Sequence, residues 1–325
     1  MVPNVLIYHT DISKESTPDD LDVLDEAKFV SDNLIKLGYK VEQRPFKYNK
    51  NETDDLKEIN PSFIFNLVES VDGKDSLAYL APFRFERFRI PYTGCTASSF
   101  LKTERKTQAK EKMRENGILT PYWLTLKDFQ KENIPKKKFI LKSNLDHASK
   151  NLESTLLDDQ EELRKFLSLR GGYFFAEEYI EGREFNISMI GPIKKGNVLP
   201  IAEMTFVNWP LNKPKIIDYE AKWNEDSHES KNTVRNFNFP DSDKSLIKNL
   251  NDICKKCWTI FDLRGYARVD FRVDKNNRPY VLEINVNPCI SPDAGFVAAS
   301  HKAGMTDEQI IRNIIKDSCG KKFVL

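Results

Sequence analysis

Two runs in the C-terminal third carry the side chains best suited to chemistry: GYARVDFRVD (265–274) and YVLEINVNP (280–288). Both alternate with the period of a strand, so Arg268 and Asp270 share one face of the first and Glu283 and Asn285 one face of the second. The segment between them, DKNNR (274–278), is rich in turn formers and short enough for a hairpin. Pairing the strands gathers an Asp, a Glu, an Asn and an Arg on one surface, while Val269, Val281, Leu282 and Ile284 build the sheet around it. Hard oxygen ligands of this kind suit Mg²⁺ carried in on nucleotide phosphates. The Arg would balance charge on a transferring phosphoryl or acyl-phosphate group. A hairpin with a solvated polar face is the other reading of the same alternation.

The elements that must position such a surface can be read upstream. At 325 residues the chain suits two or three domains. Residues 4–9 read as a strand, 21–37 as an amphipathic helix closed by Gly38, and 40–44 and 62–66 as further strands, with 88–92 leading toward a fourth. Alternation of strand and helix favours a parallel sheet, whose ligands sit beyond the carboxyl ends of the strands, here His9 to Asp11 and Asn66 to Ser70. A long polar helix, 96–116, ends at Gly117 and marks a boundary. Beyond it, strands are expected over 138–142, 173–179, 184–190 and 198–207, and helices over 158–169, 243–263 and 306–318, the last capped by Thr306.

The bulk numbers exclude several partners. A net charge of +1 offers no field for nucleic acid or anionic membrane. No apolar stretch approaches the ~20 residues of a membrane span, and residues 5–8 are too short for a signal sequence. Five cysteines, an odd number, point to a reducing cytoplasm. Cys254 and Cys257 form a C-x-x-C, but they fall at helical spacing with Leu246, Leu250 and Ile260 and read as buried apolar side chains.

Several short motifs now fall in order: Lys142 at a strand end, EEYIEGREF (177–185), DYEAK (218–222), RVD (268–270) and EIN (283–285). Their order and spacing resemble the ATP-grasp superfamily, and most closely its D-alanine–D-alanine ligase branch, over nearly the whole chain. The resemblance implies an α/β fold with α+β lobes: an ATP-grasp fold preceded by a parallel-sheet pre-ATP-grasp domain. The implied divisions are 1–100, 101–180 for the central lobe and 181–325 for the C-terminal lobe with the metal site. It implies ATP bound by Lys106, Lys142, Ser149, Glu177, Glu178, Tyr179, Ile180, Glu184 and Lys222. Within that set, Glu177 C=O and Ile180 N–H would read the adenine edge and Glu184 the ribose hydroxyls. Asp270, Glu283 and Asn285 would hold Mg²⁺, two ions by the family pattern, or Mn²⁺. Arg268 and Lys222 would be the catalytic cations, and Glu69, Arg268, Cys289, Ala294 and Gly295 would face the substrate. A homodimer is also implied.

The chain departs from the family at identifiable places. The loop after Lys142, SNLDHAS (143–149), has no glycine to let backbone approach phosphate freely, and its His147 reads as a phosphate or substrate contact or as an exposed loop side chain. Glu104-Arg-Lys106 stands where the family has Asp-Lys, and NLVESVDG (66–73) where it has His-Gly-x-x-Gly-Glu-Asp-Gly. Past the E-x-N, Cys289 replaces a glycine and Ala294-Gly295 a Ser-Leu pair; the N-terminal family Glu has no clear match near Glu15 or Asp22. The expected activity is an ATP-dependent carboxylate–amine ligase acting through an acyl phosphate. Its substrates would be small: D-alanine by family, or another amino acid or a peptide by these departures. A nucleotide-binding protein without turnover is the reading from a different class.

Overall fold

In the computed structural model of the chain, strand β1 (Asn4–Thr10) buries both of its faces. Val5 and Ile7 enter one core cluster, Leu6 and Tyr8 another. That is the environment of a central strand in a sheet covered on both sides. The structure describes all residues except 1, 13–17, 49–55, 57–58, 131–133, 146–152, 192–196, 212, 219–221, 223 and 225. Helix α1 (Pro18–Lys36) supplies Val23, Ala27, Val30 and Leu34 to the first cluster and ends at Gly38, whose φ of +92° suits glycine. Strands β2 (Lys40–Phe46) and β3 (Phe63–Leu67) flank β1 in parallel, in the order β2-β1-β3. Helix α2 (Leu80–Arg87) closes the second face with Ala81 and Phe85.

The fourth strand expected near 88–92 does not form. Only an isolated parallel bridge joins Ile64 and Tyr92. Arg89 has φ +54°, outside the strand region, and Pro91 brings no N–H, so a ladder cannot propagate. The single long helix expected over 96–116 is two: α3 (Ala97–Glu104), capped by Thr96, and α4 (Lys106–Glu115). Arg105, with ψ 105°, breaks them. The Lys106 and Thr107 amides donate instead to Asn144, at 3.1 Å to its carbonyl and 3.0 Å to its side chain. The loop after a distant strand therefore splits the helix.

The second sheet is antiparallel, β4-β7-β5-β6, built from β4 (Trp123–Leu124), β5 (Phe139–Ser143), β6 (Glu153–Leu157) and β7 (Phe174–Glu178). Helix α5 (Gln160–Arg170) packs Leu163 and Leu167 on it. The third sheet runs β11-β10-β8-β12-β13 with β9 beside β8. Its strands are β8 (Gly182–Ile190), β9 (Asn197–Val198), β10 (Ala202–Phe206), β11 (Thr233–Asn236), β12 (Tyr266–Asp274) and β13 (Pro279–Asn285). The run 198–207, expected as one strand, divides into β9 and β10 around Pro200.

One face of this sheet is apolar. Phe185, Ile187 and Met189 of β8 and Ala267, Val269, Phe271 and Val273 of β12 pack under helix α6 (Lys244–Ile260). Cys254 and Cys257 lie fully buried in that layer, as their helical spacing implies. Helices α7 (Gly295–Lys302) and α8 (Asp307–Ser318) follow, α8 starting in a capping box between Thr306 and Gln309. Their Phe296, Val297, Ile311 and Ile315 join Val5, Ile7 and Phe65 in one cluster, so the last helices complete the core of the first sheet. Among the described residues no helix is long and apolar enough to cross a membrane.

Gly182 opens β8 at φ +152°, and a Cβ there would lie 2.0 Å from the Val273 carbonyl oxygen of β12. Backbone in a paired strand cannot yield by that much. Gly182→Ala is expected to lower unfolding free energy by at least about 2 kcal/mol; the check is a lower urea midpoint with unchanged slope.

Candidate active site

The polar face of the third sheet is a grid whose rows follow from strand register. One row reads Ala202, Asn186, Asp270, Glu283 across β10, β8, β12 and β13. The next reads Ser188, Arg268, Asn285. On the other side runs Arg235, Met204, Glu184, Arg272 across β11, β10, β8 and β12. Asp270 and Glu283 are thus direct cross-strand partners, and like charges so placed repel. Arg268 relieves part of this by donating through two nitrogens to both Asp270 oxygens, at 2.8 and 2.9 Å. Opposed carboxylates beside an Asn amide form an oxygen-donor set that fits a hard divalent cation such as Mg²⁺. The pairing with Asp270 outweighs burial and holds the Arg268 pKa above its ordinary value.

Strict alternation fails at one point that matters. A bulge falls where Asp270 pairs Glu283 but Phe271 pairs Val281. Period two puts Val281 and Ile284 on opposite faces, yet both lie in the apolar core. The extra residue, Leu282, lines the cleft beside Glu283 instead of building the sheet interior as expected.

The facing wall comes from the second sheet. Glu177, on β7, lies between two lysines, with Lys110 of α4 and Lys142 of β5 each at 2.5 Å. Lys110 is wholly buried, and Lys142 keeps a fifth of its side chain open to the cleft. Burial pushes the Glu177 carboxyl up, but the two ammonium groups together hold it below its usual 4.5. Burial likewise depresses Lys110 more than its partner restores, whereas Lys142 ends above its ordinary value because Glu177 outweighs desolvation. Two lysines on one carboxylate leave one net positive charge, directed at the cleft through Lys142. Lys110 also donates to Thr120 at 2.8 Å, and Thr120 donates to the Val281 carbonyl at 2.8 Å, tying this cluster to β13.

Between the walls lies a cleft of ≈ 400 Å³. Its apolar side is formed by Ile140, Ile180, Ala202, Met204, Ile216 and Leu282, a slot suited to a flat base. At the turn from β7 to β8, the amides of Glu178 and Tyr179 are taken by Tyr122 and Lys138 carbonyls at 2.7 and 2.9 Å. The Glu178 carboxylate pairs with Lys137 at 2.6 Å. Arg272 lies over the Tyr179 ring, donates to the Gly182 carbonyl at 3.0 Å and pairs with Glu184 at 3.2 Å. Lys222 is exposed in the cleft, and the surrounding protein together with Arg268 lowers its pKa.

A smaller cavity of ≈ 160 Å³ adjoins the cleft and shares Asp22, Lys222, Arg268, Glu283 and Cys289 with it. Here the ends of β1 and β3 meet: Thr10 Oγ1 accepts from the Glu69 and Ser70 amides at 3.0 and 3.3 Å. Cys289 donates to Asp22 at 2.9 Å, and Glu26 accepts from the Ile290 amide at 2.6 Å. Burial pushes the Glu26 carboxyl up to about 8.

Of the residues expected from sequence, Lys106, Lys142, Glu177, Glu178, Tyr179, Ile180, Glu184, Lys222, Arg268, Asp270, Glu283, Cys289, Ala294 and Gly295 all line the main cleft. Asn285 and Glu69 line the adjoining cavity. Ser149 and His147 lie outside the described residues. Sequence reasoning missed Lys110, although its spacing of four from Lys106, beside the buried Ala109 and Met113, puts it on an inward helix face. It missed Arg235 because β11 is short and its alternation weak.

The buried cluster makes a titration prediction. A carboxylate with a depressed folded pKa stabilises the fold above its unfolded pKa and loses that contribution as pH falls through the lower folded value. Stability should therefore decline as pH drops below the ordinary 4.5 of the Glu177 carboxyl. Lys110→Met, which leaves Glu177 one cation, should cost about 3 kcal/mol or more and move the acid decline to higher pH; urea midpoints across the acid range test both.

Comparison with known proteins gives the same picture. Residues 158–316 match the family model described as D-ala D-ala ligase C-terminus. The D-alanine–D-alanine ligase of Aquifex aeolicus is 26% identical over 298 residues, covering 90% of this chain and 94% of that protein. That of Carboxydothermus hydrogenoformans is 26% identical over 298 residues, covering 87% and 88%. In fold, the chain is similar to the crystal structure of D-alanine–D-alanine ligase from Bacillus anthracis complexed with ATP, with a TM-score of 0.70 at 20% identity over 98% of this chain and 97% of that one. VanG D-Ala:D-Ser ligase from Enterococcus faecalis gives 0.71 at 15% identity, covering 97% and 99%. With the two facing walls and their oxygen-donor hairpin, the chain is thus similar to D-alanine–D-alanine ligases in sequence over most of its length and in fold over nearly all of it, and its C-terminal half matches their C-terminal family model.

Proposed function

We propose that the chain joins a carboxylate to an amine through an acyl phosphate, with amino acids or short peptides as substrates. The observation that carries this reading is the opposition of charge across the cleft. A net positive Lys110–Glu177–Lys142 cluster lines the cleft with the paired Asp270 and Glu283 carboxylates, and Arg268 is bonded to Asp270. A bare nucleotide binder has little use for a guanidinium beside the metal-type carboxylates.

In this reading the adenine lies in the slot of Ile140, Met204 and Leu282, against the Ile180 amide and the Glu177 carbonyl. Glu184 accepts from the ribose, and Lys106, Lys142 and Lys222 hold phosphate oxygens, with Ser149 a further donor. Asp270, Glu283 and Asn285 would hold one or two Mg²⁺ ions, or Mn²⁺, which when bound draw charge from the transferring group. The γ-phosphoryl passes to a substrate carboxylate oxygen as ADP leaves; the amine then attacks the carbonyl carbon and phosphate departs. Arg268 balances the oxyanion formed in that attack, and Glu69 and Cys289 lie on the substrate side. Pairing, burial and exclusion of water position these groups; the chain contributes no covalent step of its own.

The divisions 1–100, 101–180 and 181–325 each hold one of the three sheets, which supports a three-lobed arrangement. The five free cysteines suit a reducing cytoplasm, and a homodimer is the assembly expected of such a ligase. Release of ADP and phosphate, screened against D- and L-amino-acid pairs, is the test. Glu283→Gln should lower turnover by at least about a hundredfold while the fold and its melting transition survive. Near-normal activity in that variant removes the metal assignment. ATP binding with no ADP release for any pair leaves a nucleotide-binding protein without turnover.

A further inference from the structure

Arg272 of β12 is only 4% exposed although it carries a charge. Its Nη1 donates to the Gly182 carbonyl at 3.0 Å. Its Nη2 donates to the Lys215 carbonyl and lies 3.2 Å from Glu184 Oε2. The guanidinium carbon stands 5.4 Å from the centre of the Tyr179 ring and 5.9 Å from that of Phe206. A buried ion pair adds little stability over apolar side chains of the same volume, so stability alone does not account for it. What a guanidinium adds is a rigid planar fork of donors, which fixes the placement of the groups it joins.

Those groups come from separate places. Glu184 is its cross-strand partner on β8, and Gly182 opens that strand just after the turn from β7. Lys215 belongs to the segment 213–218, which follows β10 and leads to Lys222. This segment forms neither helix nor strand, so its backbone groups depend on partners elsewhere. The Lys215 amide donates to Tyr179 Oη at 3.2 Å, while its carbonyl accepts from Arg272. Tyr179 and Arg272 are themselves a cation–π pair. Ile216 and Ile217 on either side of this hold line the cleft, and the Lys222 amide donates to the Asp218 carbonyl at 3.3 Å. The fastening at Lys215 therefore extends toward Lys222.

Resting on the nucleotide site of the reading above, we propose that Arg272 is a positioning residue for it. Arg272 fixes Glu184 for the ribose hydroxyls and fastens the segment 213–218 to the same turn, so that sugar recognition and the placement of Lys222 share one anchor. Arg272 touches no reacting atom itself. Its removal has two separate consequences: the segment loosens before any nucleotide binds, and the choice of sugar is lost when one does.

The test compares the whole chain as wild type, Arg272→Met and Arg272→Lys. Amide hydrogen exchange is followed over 213–218 without nucleotide. Kd is measured by calorimetry for ATP, 2′-deoxy-ATP and 3′-deoxy-ATP, with Mg²⁺ and no amino acid present. Wild type should prefer ATP to at least one deoxynucleotide by about tenfold or more, the effect of one hydrogen bond to a charged group. Arg272→Met should raise exchange over 213–218 by about tenfold or more while β8 and β12 keep their protection. It should also erase the sugar preference. Arg272→Lys keeps a charge beside Glu184 without the fork, so it should retain part of the sugar preference but leave the segment loose. Unchanged exchange and preference in Arg272→Met overturn the proposal, as does full recovery of both by lysine or a wild type that treats the three nucleotides alike. Should Arg272→Met fail to fold, the exchange of Arg272→Lys over 213–218 decides. ATP that binds with no ADP released for any amino-acid pair removes the ligase reading and leaves this inference standing, because neither readout needs turnover; failure of ATP to bind removes both.

Discussion

A single buried carboxylate between two ammonium groups organises the cleft. Glu177 is inaccessible to water, so it needs compensation, and Lys110 and Lys142 approach it from different elements. Neither lysine has sequence proximity to it. Helix α4, strand β5 and strand β7 must dock in one arrangement for the charges to meet, and the arrangement that satisfies them also aims surplus positive charge at the cleft. Lys110 then reaches Thr120, and Thr120 reaches Val281, so the second sheet is fastened to the hairpin that carries Glu283. Removing the carboxylate or one lysine would disturb both walls, because each wall is defined by its link to the other.

The hairpin shows how a small irregularity can serve a site. An unbroken β12–β13 ladder would place Leu282 in the apolar layer with Ile284 and expose Val281 to the cleft. The bulge resets the phase, so that Val281 and Ile284 both reach the core while Leu282 and Glu283 turn side by side into the cleft. One becomes apolar wall and the other a carboxylate opposite Asp270. The like-charge contact this creates is tolerable with Arg268 at its edge, and it is the kind of stored electrostatic tension that a cation would discharge.

The two ends of the cleft are built differently. At the end walled by the second sheet, charges are compensated by partners on neighbouring elements. At the end that adjoins the smaller cavity, Asp22, Glu26, Cys289 and Arg235 come from helix α1, the segment after β13 and the sheet edge, and the Arg235 side chain makes no hydrogen bond or ion pair among the described residues. The first sheet reaches this end through Thr10 and Glu69, held there because α7 and α8 share its core.

Much of this was legible in the sequence. Nine-residue alternation in 266–274 identified both the apolar and the polar face of β12, since the period of a strand is a local property and survives any tertiary context. The helix caps at Gly38 and Thr306 and the burial of Cys254 and Cys257 followed for the same reason. What tertiary structure decided were the contacts that no local pattern encodes. The break at Arg105 comes from Asn144, nearly forty residues on. The absence of a ladder at 88–92 depends on how Arg89 and Pro91 meet β3, the pairing of Lys110 with Glu177 on docking of two separate elements, and the freedom of Arg235 on what stands across the cleft. Side-chain periodicity is set by the backbone of one element, whereas a buried charge and its partner are chosen by the low dielectric interior that only the assembled fold creates.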